Sequence, residues 1–292
     1  MNRPYSPAPK LSTSPTRSGP CPSSRGLPSA SEGPSTTSWR RWGAERPGQR
    51  LMVVAVAAAA VLVGAFVRGY AGFGASMFWV ASLSLIYAPS SVVPTVLALE
   101  VIASLALVPA VFRQVQWRSL GWMLGATVLT MPLGVAMLSL LPEREMRLVV
   151  AVAVIAGAAA MALGFRFEGE PGVKMAVAAG SVSGVVNGST GIGGPPAVIL
   201  YFSGATAHHV GRASLIAYFL GTDLLGFVMM AAVGLVDWQV MVHTALFAPI
   251  ALVGIAIGQR LFARSGESGF RSVVLVALLL MAAAMIVQVA VR

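Results

Sequence analysis

The stretch Asn187-Gly-Ser-Thr-Gly-Ile-Gly-Gly-Pro-Pro196 interrupts a chain that is otherwise almost continuously apolar. A similar stretch with fewer glycines, Arg68-Gly-Tyr-Ala-Gly-Phe-Gly74, begins 119 residues earlier. Glycine clusters end helices because glycine adopts backbone conformations that other residues resist, and prolines can begin a helix but not continue one. The sequence therefore predicts two helix breaks within apolar segments.

The composition excludes a soluble protein. Apolar residues make up 57% of the chain and charged residues only 10%, whereas soluble domains carry about 25% charged residues. A membrane helix needs about 20 apolar residues, and this pattern predicts an all-α polytopic protein of the cell inner membrane, with the lipid bilayer as its surroundings. The apolar runs lie at 51–67, 74–88, 91–112, 119–141, 147–165, 173–187, 193–204, 207–235, 239–262 and 270–291.

An internal duplication relates the two halves of the chain. The glycines of the first break recur in the second, displaced by 119 residues; Gln116-Trp117 returns as Asp237-Trp238, displaced by 121; and Arg147 with Val149-Val150 returns as Arg271 with Val273-Val274, displaced by 124. We expect a first repeat over 51–166 and a second over 167–292. Residues 1–50, rich in Pro, Ser and Arg, should form a disordered cytoplasmic tail.

The topology has two solutions. If each glycine-broken pair of runs is a single crossing, each repeat has about four transmembrane helices and both termini lie in the cytoplasm. If each pair is a re-entrant hairpin or two full crossings, the repeats are inverted. The sequence is compatible with both.

The breaks are the predicted substrate site. Unwound backbone cannot face lipid and must line an enclosed cavity, where the helices that restart would direct free N–H groups and a positive dipole end at an anion. Broken segments at matching places in two repeats are typical of transporter binding sites. The alternatives are that the glycines permit close helix packing and that the polar side chains cap helices. The candidate residues are Arg68, Gly69, Gly72, Gly74, Asn187, Gly188, Ser189, Thr190, Gly191, Gly193, Gly194 and Thr222.

The two glycine motifs, above all Gly188-Ser-Thr-Gly-Ile-Gly-Gly-Pro-Pro196, resemble those of the sulfite exporter TauE/SafE family. Gly221-Thr222-Asp223 fits the pattern that follows the second motif in that family. The resemblance covers roughly residues 51–292 and implies two four-helix repeats. It also implies transport of a small anionic solute: sulfite, a sulfonate or another organosulfur compound. The first motif departs from the family because it is poorer in glycine and contains Arg68 and Tyr70.

Two carboxyl groups and one guanidinium lie at predicted membrane depth. An ionised carboxylate there costs at least about 2.5 kcal/mol, so Glu100 and Asp223 should face a cavity, pair with a cation or stay protonated. Both are candidate proton-coupling groups; the alternative, favoured for Asp223, is a neutral interhelical hydrogen bond. Arg68 is either an oxyanion ligand or an interfacial residue that extends toward headgroups. In the first case it is placed to pair with Glu100.

Other functional classes find less support. The spacing of the glycines excludes a dinucleotide fingerprint, one cysteine and three histidines suggest no metal site, and we expect no cofactor and no nucleic-acid partner. An intramembrane enzyme needs a paired nucleophile and base, and the spans contain no such pair, so we expect a permease; a passive anion channel is the nearer alternative. His208, His209 and Arg212 are predicted to lie in a solvated connecting loop.

Overall fold

The chain is helical and has no strand over the residues that the computed structural model describes, which are 47–84, 86–163, 172–202 and 207–290. This confirms the predicted all-α class. A short 3₁₀ turn, Phe112–Gln114, follows the third helix. The helices are α1 (Pro47–Ala71), α2 (Ala75–Leu83), α3 (Pro89–Val111), α4 (Trp117–Leu140), α5 (Glu143–Leu163), α6 (Val173–Thr190), α7 (Gly194–Phe202), α8 (His208–Ala232) and α9 (Trp238–Ala290).

Within the described ranges, five helices are long and apolar enough to cross a membrane by length and composition. This confirms the prediction of a polytopic membrane protein. They belong to α1, α3, α4, α8 and α9, with spans at Val54–Ala71, Pro89–Gln114, Trp117–Leu140, His209–Ala232 and Trp238–Arg264.

Two predicted boundaries differ from the structure. The first helix begins at Pro47, so the last four residues of the predicted tail are helical, and residues 1–46 lie outside the described residues. The runs 239–262 and 270–291 were expected to be separate helices, but they form one helix of 53 residues, α9. The connecting residues 263–269 include no proline, so no residue there removes a helical hydrogen bond or forces a break.

The first break is a hairpin. Gly72 and Gly74 have φ values of 83° and 93°, in the left-handed region that favours glycine, and they reverse the chain between α1 and α2. The indole Nε1 of Trp79 in α2 donates a hydrogen bond to the carbonyl of Val61 in α1 at 3.0 Å. Because Val61 lies ten residues before the end of α1, α2 must turn back along α1 to make this contact. The pair is therefore not two halves of one crossing.

The second break repeats this arrangement. Gly191 has a φ of 71° and ends α6. The hydroxyl of Ser183 in α6 donates to the carbonyl of Gly193 at 2.5 Å, so the chain has already turned back beside α6 when α7 begins. Both glycine breaks thus form helical hairpins, with α2 and α7 as the short arms of nine residues each.

Contacts at the helix ends support the inverted topology. Arg147, at the start of α5, donates to the carbonyls of Ser84 and Tyr87, which follow the first hairpin. At the opposite end of the helix bundle, the amide of Gln116, just before α4, donates to Ser214 Oγ in α8 at 2.9 Å. Each hairpin returns the chain to the side on which it began, and three helices follow before the second hairpin. Because three is odd, the two halves start from opposite sides.

Glycines bring two pairs of helices into backbone contact, α4 with α6 and α9 with α1. A Cβ added to Gly134 in α4, or to Gly258 in α9, would collide with the backbone of the crossing helix. Each neighbour in one set lies 119 residues from its counterpart in the other, which equals the displacement of the glycine motifs; the duplication itself stays a prediction. The nearest residues are Val185, Gly188 and Ser189 for Gly134, and Phe66, Gly69 and Tyr70 for Gly258.

Candidate substrate-binding site

Arg68 lies in the last turn of α1 and is 1% exposed. Its Nη1 donates to the carbonyl of Gly72 at 3.1 Å, and its Nη2 donates to Ser104 Oγ in α3 at 2.7 Å. The guanidinium carbon lies 4.5 Å from the ring centroid of Phe219 in α8, a cation–π distance. Arg68 therefore joins the tip of the first hairpin to α3 and α8. The alternative of an arginine extended toward the headgroups is wrong.

Glu100 in α3 forms an ion pair with Arg68. Nη2 of Arg68 lies 2.9 Å from Oε2 of Glu100, and both side chains are at most 2% exposed. This confirms the pairing that the sequence suggested. Neither carboxylate oxygen of Glu100 has a hydrogen-bond partner within the described residues, so the ion pair with Arg68 is the polar contact that holds this carboxylate.

Asn187 is the corresponding residue of the second hairpin. Its Oδ1 accepts a hydrogen bond from the Gly193 amide at 3.1 Å, and its Nδ2 donates to Oδ1 of Asp223 in α8 at 3.0 Å. The side chain is 1% exposed. Asn187 therefore holds the tip of the second hairpin to α8, as Arg68 holds the tip of the first to α3.

Asp223 is 2% exposed. Besides the Asn187 amide, the hydroxyl of Thr222 approaches its Oδ1 at 3.5 Å, while its Oδ2 has no hydrogen-bond partner within the described residues. Phe219, whose ring lies 4.5 Å from the Arg68 guanidinium carbon, precedes Asp223 by one turn of α8. The two hairpin tips and the two central helices therefore meet in one buried polar cluster, which consists of Arg68, Glu100, Ser104, Asn187, Thr222 and Asp223.

The amides of the second break are not free. The N–H of Gly191 donates to the carbonyl of Asn187 at 2.8 Å, and the N–H of Ile192 donates to Thr190 Oγ1 at 3.2 Å. The Gly193 amide donates to Asn187, as described above. The expectation that bare amides at these positions bind the substrate is wrong for this structure, because a buried amide without a partner costs about 1–3 kcal/mol and nearby groups of the hairpin satisfy each one.

Several predicted site residues serve the fold instead. Ser189 and Thr190 donate to carbonyls one turn earlier in α6, at 2.8 Å and 2.7 Å. Thr190 also accepts the amide of Ile192 just beyond the end of α6, and this contact agrees with the capping alternative. Gly69 and Gly188 lie at the helix crossings, which agrees with the packing alternative. Gly194 begins α7. Of the predicted residues, the buried cluster brings together Arg68, Glu100, Asn187, Thr222 and Asp223, while Gly72, Gly74, Gly191 and Gly193 shape the hairpin tips beside it.

Arg212 was predicted to be solvated in a loop, but it lies in the first turns of α8 and is 6% exposed. Its Nε and Nη2 donate to the carbonyls of Tyr70 and Gly69 at 3.2 Å and 2.8 Å, which are orphan carbonyls at the end of α1. The guanidinium lies 4.3 Å from the ring of Phe262. The sequence signal for this contact is the end of α1, because its last carbonyl groups have no partner within the helix and attract a nearby cation.

An apolar cavity of about 430 Å³ lies apart from the buried cluster, between α5, α6 and α7. Its walls are aliphatic side chains such as Val182 and Ile199, together with Pro195 and Pro196. An anion needs hydrogen-bond donors or a cation, and this lining supplies neither. The buried cluster, rather than the cavity, is the candidate substrate site.

Comparison with known proteins identifies the family. The family model described as sulfite exporter TauE/SafE matches residues 56–285, most of the chain and all of the buried cluster. The chain belongs to the TauE/SafE family. No curated protein and no solved structure matches it. TauE/SafE membership identifies a membrane permease and indicates transport of sulfur-containing anions. In this TauE/SafE protein the family match agrees with the buried guanidinium of Arg68 at the tip of the first hairpin.

Proposed function

We propose that the protein is a carrier for a small sulfur oxyanion, with sulfite as the first candidate, in the cytoplasmic membrane, and that Arg68 binds the anion. The observation that carries this proposal is the position of Arg68: a guanidinium that is 1% exposed, at a hairpin tip between α3 and α8. The ion pair with Glu100 offsets the cost of this buried cation and shows that the guanidinium can hold a carboxylate, which is itself an oxyanion. Guanidinium donors match an oxyanion with two parallel hydrogen bonds.

A carrier fits the burial of the cluster better than a passive channel does. Arg68, Glu100, Asn187, Thr222 and Asp223 are each 2% exposed or less, so the proposed site is closed to both sides of the protein. A channel needs a continuous path past its selective groups, whereas a carrier passes through a closed state and opens to one side at a time.

The test is sulfite flux into vesicles that contain the purified protein. Arg68→Gln should reduce the initial rate of sulfite flux roughly tenfold or more, because it removes the positive charge that binds the anion in preference to water. Arg68→Lys should recover little activity, since an ammonium cannot donate the planar pair of hydrogen bonds. Counterflow, in which unlabelled sulfite inside accelerates uptake of labelled sulfite, separates a carrier from a channel.

The matched control is Arg118→Gln, which removes the charge of an exposed arginine at the start of α4 and should leave flux unchanged. The thermal unfolding of every variant is measured in detergent, so that loss of fold is distinguished from loss of transport. Wild-type rates in a folded Arg68→Gln protein would refute the assignment of Arg68 as the anion ligand.

A further inference from the structure

The proposed function assigns Arg68 to the anion, and the groups around it restrict which anion it can accept. Within the described residues of the buried cluster, the charged and titratable groups are Arg68, Glu100 and Asp223. Arg212 is the nearest further cation, but its guanidinium is engaged by the carbonyls at the end of α1. One guanidinium is therefore left to balance whatever negative charge the cluster holds.

Asp223 fits its surroundings as a neutral acid. It contacts an amide and a hydroxyl, its Oδ2 accepts and donates nothing within the described residues, and the ion pairs of the described chain are those of Arg68 with Glu100 and of Arg147 with Glu143. A buried carboxylate without a cation takes up a proton rather than remain charged. Arg68 and Glu100 then cancel, and the closed cluster is electrically neutral.

A substrate anion must displace Glu100 to form two parallel hydrogen bonds with Arg68. Nε of Arg68 has no hydrogen-bond partner within the described residues, but the neighbouring Nη2 already serves Glu100 and Ser104, and Nη1 serves the carbonyl of Gly72. If Glu100 stayed ionised, two anions would share one cation in a site closed to water, which is strongly unfavourable. Glu100 must therefore become neutral when the substrate binds.

We propose that the site carries one monovalent oxyanion, hydrogensulfite in the case of sulfite, together with one proton, and that Glu100 is the group that takes the proton. On binding, the Glu100 carboxylate accepts a proton from the water on the side that the site faces. Its ion pair with Arg68 breaks, and the guanidinium donates to the substrate oxygens instead. On release, the proton returns to water on the other side and the ion pair re-forms. One negative and one positive charge cross together, so the cycle is electroneutral.

The groups that face Glu100 are consistent with this exchange. Arg68 approaches Glu100 from α1, and Asp223 lies on α8 one turn after Phe219, which contacts Arg68. His243 on α9 packs against Tyr87, which precedes α3, with the ring centroids 5.2 Å apart. A dianion such as sulfate would leave one negative charge uncompensated and should be rejected.

The experiment measures the driving force in vesicles that contain the full-length protein. For the wild-type protein and sulfite at mildly acidic pH on both sides, where the monovalent hydrogensulfite ion predominates, a gradient of one pH unit should sustain an accumulation of hydrogensulfite of about tenfold on the alkaline side. A membrane potential of about 60 mV, set by potassium and valinomycin, should change the accumulation little, although it would shift a single uncompensated charge about tenfold. Sulfate uptake should be roughly tenfold or more slower than sulfite uptake. Protein-free vesicles give the background.

Glu100→Gln tests the residue assignment, because glutamine imitates the protonated acid and cannot release a proton. This variant should still move sulfite, but its accumulation should follow the membrane potential and ignore the pH gradient. Glu143→Gln is the matched control: it removes a carboxyl paired with arginine at an exposed helix start and should keep the wild-type coupling.

Sulfite transport that follows the potential and ignores pH in the wild type would overturn this inference and leave the proposed function intact. The same holds if sulfate moves as fast as sulfite, or if a folded Glu100→Gln protein keeps its dependence on the pH gradient. If Glu100→Gln does not fold, the dependence of wild-type transport on the pH gradient and on the membrane potential still tests the proposed coupling to a proton. Absence of any sulfur-oxyanion flux would instead contradict the proposed function.

Discussion

Asn187 donates a hydrogen bond to Asp223 at 3.0 Å, and this contact has a counterpart 119 residues earlier in the chain. Arg68 donates to Ser104 at 2.7 Å, and in both pairs the donor and acceptor are 36 residues apart. The two donors are separated by 119 residues, as are the two acceptors. The halves thus place a donor at each hairpin tip against the same position of the following long helix. The ionisable group is the donor in the first half, the guanidinium of Arg68, and the acceptor in the second half, the carboxyl of Asp223.

The Asn187 contact should be important for stability. Asn187→Ala removes the partners of the Gly193 amide and of Asp223 at once, and each buried group left without a partner costs about 1–3 kcal/mol. We expect a clear fall in the midpoint of thermal unfolding, measured by the fluorescence of the native tryptophans. Ser139→Ala is the control, since it removes an exposed hydroxyl whose bond lies within its own helix. Equal unfolding midpoints for the two variants would contradict the role of Asn187.

The two glycines of the second break should respond differently to alanine. Gly191 has a φ of 71°, but a Cβ there would make ordinary contacts, 3.4 Å from Val93 and more from its other neighbours. Gly191→Ala should therefore cost only about 1–2 kcal/mol, the penalty of the left-handed conformation. At Gly193 a Cβ would lie 2.6 Å from the Cβ of Asn187 and 2.9 Å from Ser183 Oγ. Gly193→Ala should displace Asn187 and reduce transport much more.

Sulfite flux and thermal unfolding of these two variants provide the measurement. The sequence treated both glycines as equivalent cavity-lining residues. If Gly191→Ala and Gly193→Ala lose transport to the same extent at equal stability, the structural distinction between a turn position and a contact position is wrong.

Part of this architecture could be predicted from the sequence because apolar runs and glycine clusters are local signals. The two breaks, the polytopic class and the Arg68–Glu100 pair follow from hydropathy and from the cost of burying charge. The direction of α2 and α7 could not be predicted, because a glycine turn permits both a continuing and a returning helix. The deciding contacts, such as Trp79 with Val61, depend on tertiary packing.

The site was predicted less completely than the fold. The sequence placed polar residues near the breaks but could not show that Asn187 would occupy the amide of Gly193 or that Arg212 would reach the end of α1. Both contacts satisfy backbone groups that a helix end leaves open, and their partners lie on other turns or other helices. Spacing along one helix carries no information about them.

The glycine crossings predict a matched set of effects. Gly134→Ala in α4 and Gly258→Ala in α9 should each destabilise the protein by about 1–3 kcal/mol or more, because the added methyl group collides with backbone that cannot rotate away. Gly125→Ala, in the same helix as Gly134, has open space around its Cβ and should be neutral or stabilise by about 0.5–1 kcal/mol. Thermal unfolding of the three variants tests the duplication, which requires Gly134 and Gly258 to respond alike.

The hairpins predict which helix ends share a side of the membrane. Because α1 and α2 return the chain to its starting side, the N-terminal tail should lie on the side of Glu145, at the start of α5, and opposite Arg118, at the start of α4. A single crossing over 51–88 reverses this and places the tail with Arg118.

The native Cys21 is the one cysteine of the chain, so it reports the side of the tail. Cysteines introduced as Glu145→Cys and Arg118→Cys in a Cys21→Ser background report the other two, since both positions are exposed. In sealed, oriented vesicles a membrane-impermeant maleimide should label Cys21 and position 145 from the same side and position 118 from the other. Labelling of Cys21 together with position 118 would show that each break is a single crossing, and the inverted arrangement of the two halves would then be wrong.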